Sequence, residues 1–324
     1  MKRTPLFRIA VILVAVLALA VPAFAKDDAL SLVPANAVTV GMVKLRDMRS
    51  SPLSSMLFEQ TDKMSTDGEA EKFLTDAGLA PLKDVDVLVV ATSPRTNLGS
   101  EADVLVIAEG RFNVERLSSA IAARGAIRKG AYFITPDKGD NDHDTGAVAF
   151  PSASLVIAGT ERAVVAALEA RANGGTSFRA ANGLGMDLAR VDRNATAWAL
   201  VDVTRAARLA KGGTIHTGKG QAGDALAMAL KTVSTLAVWA TDTGDALELG
   251  AFGLSSDKET LELIEDTARG ALSAMRLAVK EKSPEMVSVL RRFEVSRKDD
   301  SVLIEGSIPA SSLREMMAKK RASK

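Results

Sequence analysis

The chain has 324 residues, 47% of them hydrophobic and 25% charged, with a formal net charge of +1. These are ordinary globular proportions, at a length that suits two domains of usual size or one large one. Near-neutral charge argues against nucleic acid or an anionic membrane as the main partner. The absence of cysteine excludes disulfides, thiol catalysis, thiolate metal sites and lipid attachment through an N-terminal cysteine.

The first predicted element is a leader. Lys2, Arg3 and Arg8 precede 13 uninterrupted apolar residues, Ile9 to Val21, then Pro22 and the small-residue pattern Ala23-Phe24-Ala25. This is the order of a secretory signal peptide over residues 1–25, with cleavage expected after Ala25. Retention as an anchor is the alternative, although the run is short of the roughly 20 residues that span a bilayer. Without the leader's three cations the chain carries 38 basic and 40 acidic residues, a charge of −2. The expected location is the periplasm or the cell exterior, with no membrane span after cleavage.

Val38 to Leu45 is the first strand, and Ser50-Ser51-Pro52 starts a helix with Leu53, Met56 and Leu57 at helical spacing. A helix from Glu69 to Ala77 ends at Gly78. Val85–Thr92 and Asp103–Gly110 are strands rich in valine and isoleucine, joined as a hairpin through the proline- and glycine-containing loop 93–101. Asn113 caps a helix carrying Leu117 and Ile121, which ends at Gly125. Strands Ala131–Thr135 and Ser154–Gly159 and a helix Glu161–Ala172 complete a first unit, assigned to 26–190.

The second unit, 191–324, repeats the order. Thr196–Val203 stands in the place of the first strand, followed by Arg205–Leu209 as helix, Ala225–Leu230 as helix and Thr235–Ala240 as strand. Gly244-Asp245 turns the chain into Leu247–Phe252. A long helix from Asp257 to about Glu281 presents Leu261, Ile264, Ala268, Leu272, Met275 and Val279 as one apolar stripe, with Arg276 off it. Phe293–Arg297 and Val302–Gly306 form a closing hairpin and Ser311–Lys320 a last helix. Leu105 with Leu249, and Gly159 with Gly306, suggest the alignment of the two halves. The pattern predicts an α+β fold of two similar units, each an antiparallel sheet with helices packed on one face.

Candidate chemistry is sparse. Asp140, Asp142 and Asp144 alternate around His143 like the opening of a calcium loop, but Thr145 stands where its glycine belongs and Pro151 where its bidentate glutamate belongs. They form a weak calcium candidate, and the loop reads more simply as solvated. Gly213 to Gly220, which contains His216, matches a phosphate-binding loop except that Gly220 replaces the magnesium-binding hydroxyl and no buried strand precedes it. A nucleotide or other cofactor is not expected. Asp84 and Asp86 flank a strand entry as a possible acid–base pair, with solvated strand-end carboxylates the simpler reading. Trp198 and Trp239 read as core anchors or as the wall of a ligand pocket. The basic tail, Lys319 to Lys324, suits a helix C-terminus.

Leu32-Val33-Pro34-Ala35, the strand with Ser51-Pro52, Lys83-Asp84-Val85-Asp86 and Glu109-Gly110-Arg111-Phe112 resemble a pattern in uncharacterised exported bacterial proteins. That resemblance implies an exported duplicated fold and no particular chemistry. The expected function is therefore non-enzymatic: binding of a protein partner, or a structural role in the cell envelope. A carrier of an apolar small ligand between sheet and helices is the alternative, and a hydrolase without a recognisable motif the third reading. A deep apolar cavity favours the carrier, an exposed apolar patch the interaction protein.

Overall fold

The computed structural model describes residues 28–49, 69–95, 101–135, 145–174, 177–178, 183–209, 233–280 and 284–315. The leader, the Asp140–Asp144 candidate, both histidines, the glycine-rich segment 213–220, the helix start at Ser50, the helix 225–230 and the basic tail lie outside these residues.

Among the described residues twelve strands form one antiparallel sheet. They are β1 (Thr39–Val43), β2 (Val85–Pro94), β3 (Ala102–Gly110), β4 (Ile127–Lys129), β5 (Tyr132–Thr135), β6 (Gly146–Ser152), β7 (Leu155–Thr160), β8 (Ala197–Asp202), β9 (Thr235–Asp242), β10 (Ala246–Leu254), β11 (Glu294–Lys298) and β12 (Ser301–Pro309). Their spatial order is 11-12-10-9-8-1-2-3-7-6-5-4. The α+β class, the antiparallel pairing and the two similar units are all present: order 1-2-3-7-6 on one side of the centre repeats as 8-9-10-12-11 on the other. The two units share a single sheet, joined where β1 pairs with β8.

That joint has local two-fold symmetry. Gly41 faces Ala199, while Val40 faces Leu200 and Met42 faces Trp198. Stepping outward through the ladders matches Val40 with Trp198, Val89 with Ala237, Ile107 with Phe252 and Ile157 with Leu303. Leu105 therefore corresponds to Gly250 and Gly159 to Glu305. The alignments of Leu105 with Leu249 and of Gly159 with Gly306 are corrected: each is one residue out of phase, and in a strand one residue places the side chain on the opposite face.

One face of the sheet carries the larger core. Val40, Val89, Leu105, Ile107, Ile157, Leu200, Ala237 and Phe252 point into it. Ala29, Leu30, Leu32 and Val33 of the opening segment cover them, with Ala163, Val164 and Ala167 of the helix Glu161–Asn173, then Phe178, Leu184 and Val191. The opening segment is fastened by its backbone: Ala29 N–H donates to the Glu109 carboxylate at 2.6 Å, and Phe178 N–H to the Val33 carbonyl at 2.9 Å.

The opposite, outer face carries helices in both units. In the first unit Leu45, Ala77, Leu117 and Ala120, from helices Leu45–Met48, Glu69–Ala77 and Val114–Ala122, pack on Val43, Leu88, Ala108 and Val156. A bulge between Val85 and Val87 turns Val85 into this layer. The helices that follow β3 and β10 thus share one face, as expected, whereas Glu161–Asn173 lies on the other.

The helix Lys258–Lys280 is 23 residues long and starts from Asp257, whose carboxylate accepts the Thr260 N–H at 3.0 Å. It covers the outer strands of the second unit, where Arg297 of β11 pairs with Glu265 at 3.3 Å. Leu261 and Leu272 are buried, but Met275 is 49% exposed. Arg276 turns inward in its place and donates to the Leu290 and Phe293 carbonyl oxygens, so the predicted apolar stripe is interrupted at Met275, with Val279 half-buried beyond it.

Candidate functional site

The described positions singled out in the sequence separate rather than converge. The Asp84 carboxylate accepts the Ala80 N–H at 2.7 Å and so closes the turn into helix Pro81–Asp84, while Asp86 pairs with Arg49. They hold different structural partners and do not form an acid–base pair. Trp198 and Trp239 sit directly opposite each other on β8 and β9, 7% and 9% exposed. Trp239 lies against Phe252, with ring centroids 6.0 Å apart.

Trp198 has a second neighbour. With Met42, its cross-strand partner, it floors an open pocket of about 460 Å³ on the main core face, lined also by Leu30, Leu188, Ala189 and Val191. Lys44, Asp192 and Arg193 form the rim. Lys44 is carried to it by the end of β1, where its N–H donates to Thr196 carbonyl oxygen at 2.8 Å. Asp192 opens a tight turn: one carboxylate oxygen accepts the Thr241 hydroxyl at 2.7 Å, the other the Asn194 N–H at 2.9 Å. These bonds, the hydroxyl's first, hold the Asp192 carboxyl below its ordinary value. Residues 184–193 have no strand alternation, and no element was assigned there from the sequence. The turn chemistry of Asp192-Arg193-Asn194 is the one signal in the sequence that could have pointed to the segment.

A second cavity, of about 550 Å³, is lined by Arg95, Asp103, Thr160, Glu161, Arg162 and Glu169. Its charges are largely paired among themselves and their neighbours. Asp103 accepts from Arg95 at 2.9 Å and from the Thr160 hydroxyl at 3.1 Å, and lies 3.4 Å from the Arg162 guanidinium. Glu161 accepts from Lys129 and from the Tyr132 hydroxyl, both at 2.7 Å, and its carboxyl is pushed down by them in that order.

On the outer face one row of cross-strand neighbours runs over eleven strands: Val295, Ile304, Ala251, Val238, Ala199, Gly41, Val90, Val106, Ala158, Val148 and Phe133. Every member is apolar, and β4 ends the row with Arg128, whose guanidinium stands 5.8 Å from the Phe133 ring centre. The helix Lys258–Lys280 covers its β11–β12 end, and the first-unit helices pack beside it, on Val43, Leu88, Ala108 and Val156. Its centre is open, with Val238 47% and Val90 40% exposed. These two valines are two-fold mates, one strand out from Ala199 and Gly41, so the centre is a trough floored by the two smallest side chains.

Asp192 and Asp300 set the expected response to acid. Asp300 receives two bonds of 2.8 Å from Arg190, which lower its carboxyl. Both groups bind a proton less readily folded than unfolded. Their stabilisation is complete above the ordinary carboxylate value of 3.8 and is lost as the pH falls through the lower folded values. Urea titrations are expected to show stability declining below about pH 4, and an Asp192→Asn, Asp300→Asn double variant to decline less steeply. Parallel curves would contradict the assignment.

Among the described residues no helix is long and apolar enough to cross a membrane. No known protein-family pattern matches the chain, and no curated protein does. Among solved structures, crystal forms I and III of a protein called TP0453 are similar to it, with TM-scores of 0.48 and 0.45 at 8% and 10% identity, over 91% and 90% of this chain and 98% of theirs.

Proposed function

We propose that this is an exported, non-enzymatic protein of the cell envelope that works by docking a helix of a partner protein on the open centre of its outer sheet face. The observation that carries this reading is the apolar trough of Val90, Gly41, Ala199 and Val238, exposed at its two rims. Solvent-facing positions of an antiparallel sheet are ordinarily polar, and a contiguous apolar surface marks an interaction site. Strands about 4.8 Å apart put the two valines roughly 14 Å apart. A helix with its side chains is about 10–12 Å across, so one helix fits between them and its apolar ridge meets glycine and alanine. Export follows from the basic start, the apolar run and the Ala23-Phe24-Ala25 pattern.

The test is photocrosslinking in the native host, with a photoreactive residue at position 90 or 238 and a control at exposed Glu115. The expected result is one discrete heterologous adduct from both trough positions and none from the control. Loss of the position-90 adduct in a Val238→Glu chain, and of the position-238 adduct in a Val90→Glu chain, each of unchanged melting temperature, would complete the support. An adduct confined to the chain itself, or equal labelling at the control, would overturn the reading.

A further inference from the structure

The cavity beside Trp198 lies on the face opposite the trough and is independent of it. Its walls are aliphatic apart from one indole: Leu30, Met42, Leu188 and Val191 line it with Trp198, and it opens to solvent. Its volume of about 460 Å³ falls in the range of small-molecule sites, which are apolar pockets with a few placed polar groups.

The rim supplies those groups with a definite sign. Asp192 has both carboxylate oxygens engaged by Thr241 and Asn194. Lys44 spends one of its three donors on the Arg193 carbonyl oxygen, at 3.4 Å. Neither Lys44 nor Arg193 is in an ion pair with any described carboxylate, although the chain pairs many of its surface arginines. Two cations against one committed anion leave a single positive charge at the mouth of an apolar cavity. An uncharged ligand would leave that charge unused, and a cationic one would be repelled.

We propose that this cavity is a binding site for a small amphiphilic monoanion: an aliphatic chain lying against Met42, Leu188, Val191 and Trp198, with a carboxylate at the mouth held by Lys44 and Arg193. The head group takes charge-assisted hydrogen bonds from the two side chains. The tail is driven in by removal of its apolar surface from water.

The test uses the whole mature chain, with decanoate, decan-1-ol and decylamine as probes of equal length. Binding is read by calorimetry and by the fluorescence of the two tryptophans, of which Trp198 lines the site. Decanoate is expected to bind at least about tenfold more tightly than decanol, with decylamine weakest. The Lys44→Gln, Arg193→Gln chain should lose that tenfold preference for decanoate and keep its decanol affinity. Ala189→Phe, which fills the cavity from an exposed backbone position, should abolish binding of both while its thermal melt stays intact. Three results would overturn the proposal: no decanoate binding up to about 1 mM, equal affinity for decanoate and decanol, or binding unchanged by Ala189→Phe.

Discussion

Replacing Gly159 by alanine is expected to cost at least about 3 kcal/mol of folding stability, from backbone strain and overpacking together. Gly159 sits in β7 with φ of 148°, in the region that disfavours a Cβ. A Cβ there would stand 2.0 Å from the Val104 carbonyl oxygen and 3.0 Å from its carbon. Those are backbone atoms of β3, which is paired on both sides and anchored by fully buried Ile107. Nothing flexible stands in the way to give. Gly306 is the informative control, because the nearest atoms to an added Cβ belong to the Phe293 ring, at 2.4 Å. A ring can turn where a strand cannot, so Gly306→Ala should cost clearly less. Urea unfolding of both variants decides it, and a loss below about 1 kcal/mol for Gly159→Ala would contradict the account.

The contrast also shows how far the sequence was legible. Gly159-Thr160 and Gly306-Ser307 look alike as strings, although Gly159 lies one residue from the end of β7 and Gly306 three from the end of β12. The ladders place them on opposite faces, with unlike reasons for the glycine. Element order is set by hydrophobic periodicity, which the first unit writes clearly in Val85–Pro94 and Ala102–Gly110 and the second in Thr235–Asp242. Register is set by pairings that a single sequence does not display. Two strands lacked even the periodic signal. Ile127–Lys129 is three exposed residues, two of them cations, at the sheet edge. Such charges keep an edge from pairing with other chains. Gly146–Ser152 carries Pro151, which reads as loop although the strand pairs with β5 and β7 around it.

The candidate surfaces were legible only in part. Trp198 and Trp239 were marked from their strand positions, as anchors or as a pocket wall, and Trp198 serves as both. Its companions Leu188, Val191 and Arg193 come from irregular backbone, where no period announces which way a side chain points. The trough was invisible for another reason. Gly41, Val90, Ala199 and Val238 each look like unremarkable strand residues, and only the order in which β2, β1, β8 and β9 pair makes them neighbours. The exposed Met275 and inward Arg276 show the converse: helical spacing defines a stripe, but the neighbouring helix Pro284–Leu290 decides where it is broken.

Truncating Trp239 to alanine is expected to cost about 3–5 kcal/mol, and Gly250 explains why the upper half of that range applies. The indole lies over Gly250 on the next strand, so close that a Cβ on the glycine would stand 2.1 Å from the ring. The glycine is therefore the floor on which the ring rests. With the ring gone, the void is bordered by a residue that has no side chain to move into it, and a site that cannot collapse keeps its full cavity penalty. The same geometry predicts coupling of opposite sign. Gly250→Val alone should destabilise, because its methyl groups occupy the ring's place. In the Trp239→Ala background those methyl groups enter the void and should restore at least about 1 kcal/mol. A double-mutant cycle by urea unfolding measures this directly, since contacting residues couple by roughly 0.5–3 kcal/mol. Additive losses would mean that the ring does not rest on Gly250, and that the two-fold match of Gly250 with Leu105 has no packing consequence. Recovery would show one core position filled by its own leucine in the first unit and by a neighbouring strand's tryptophan in the second.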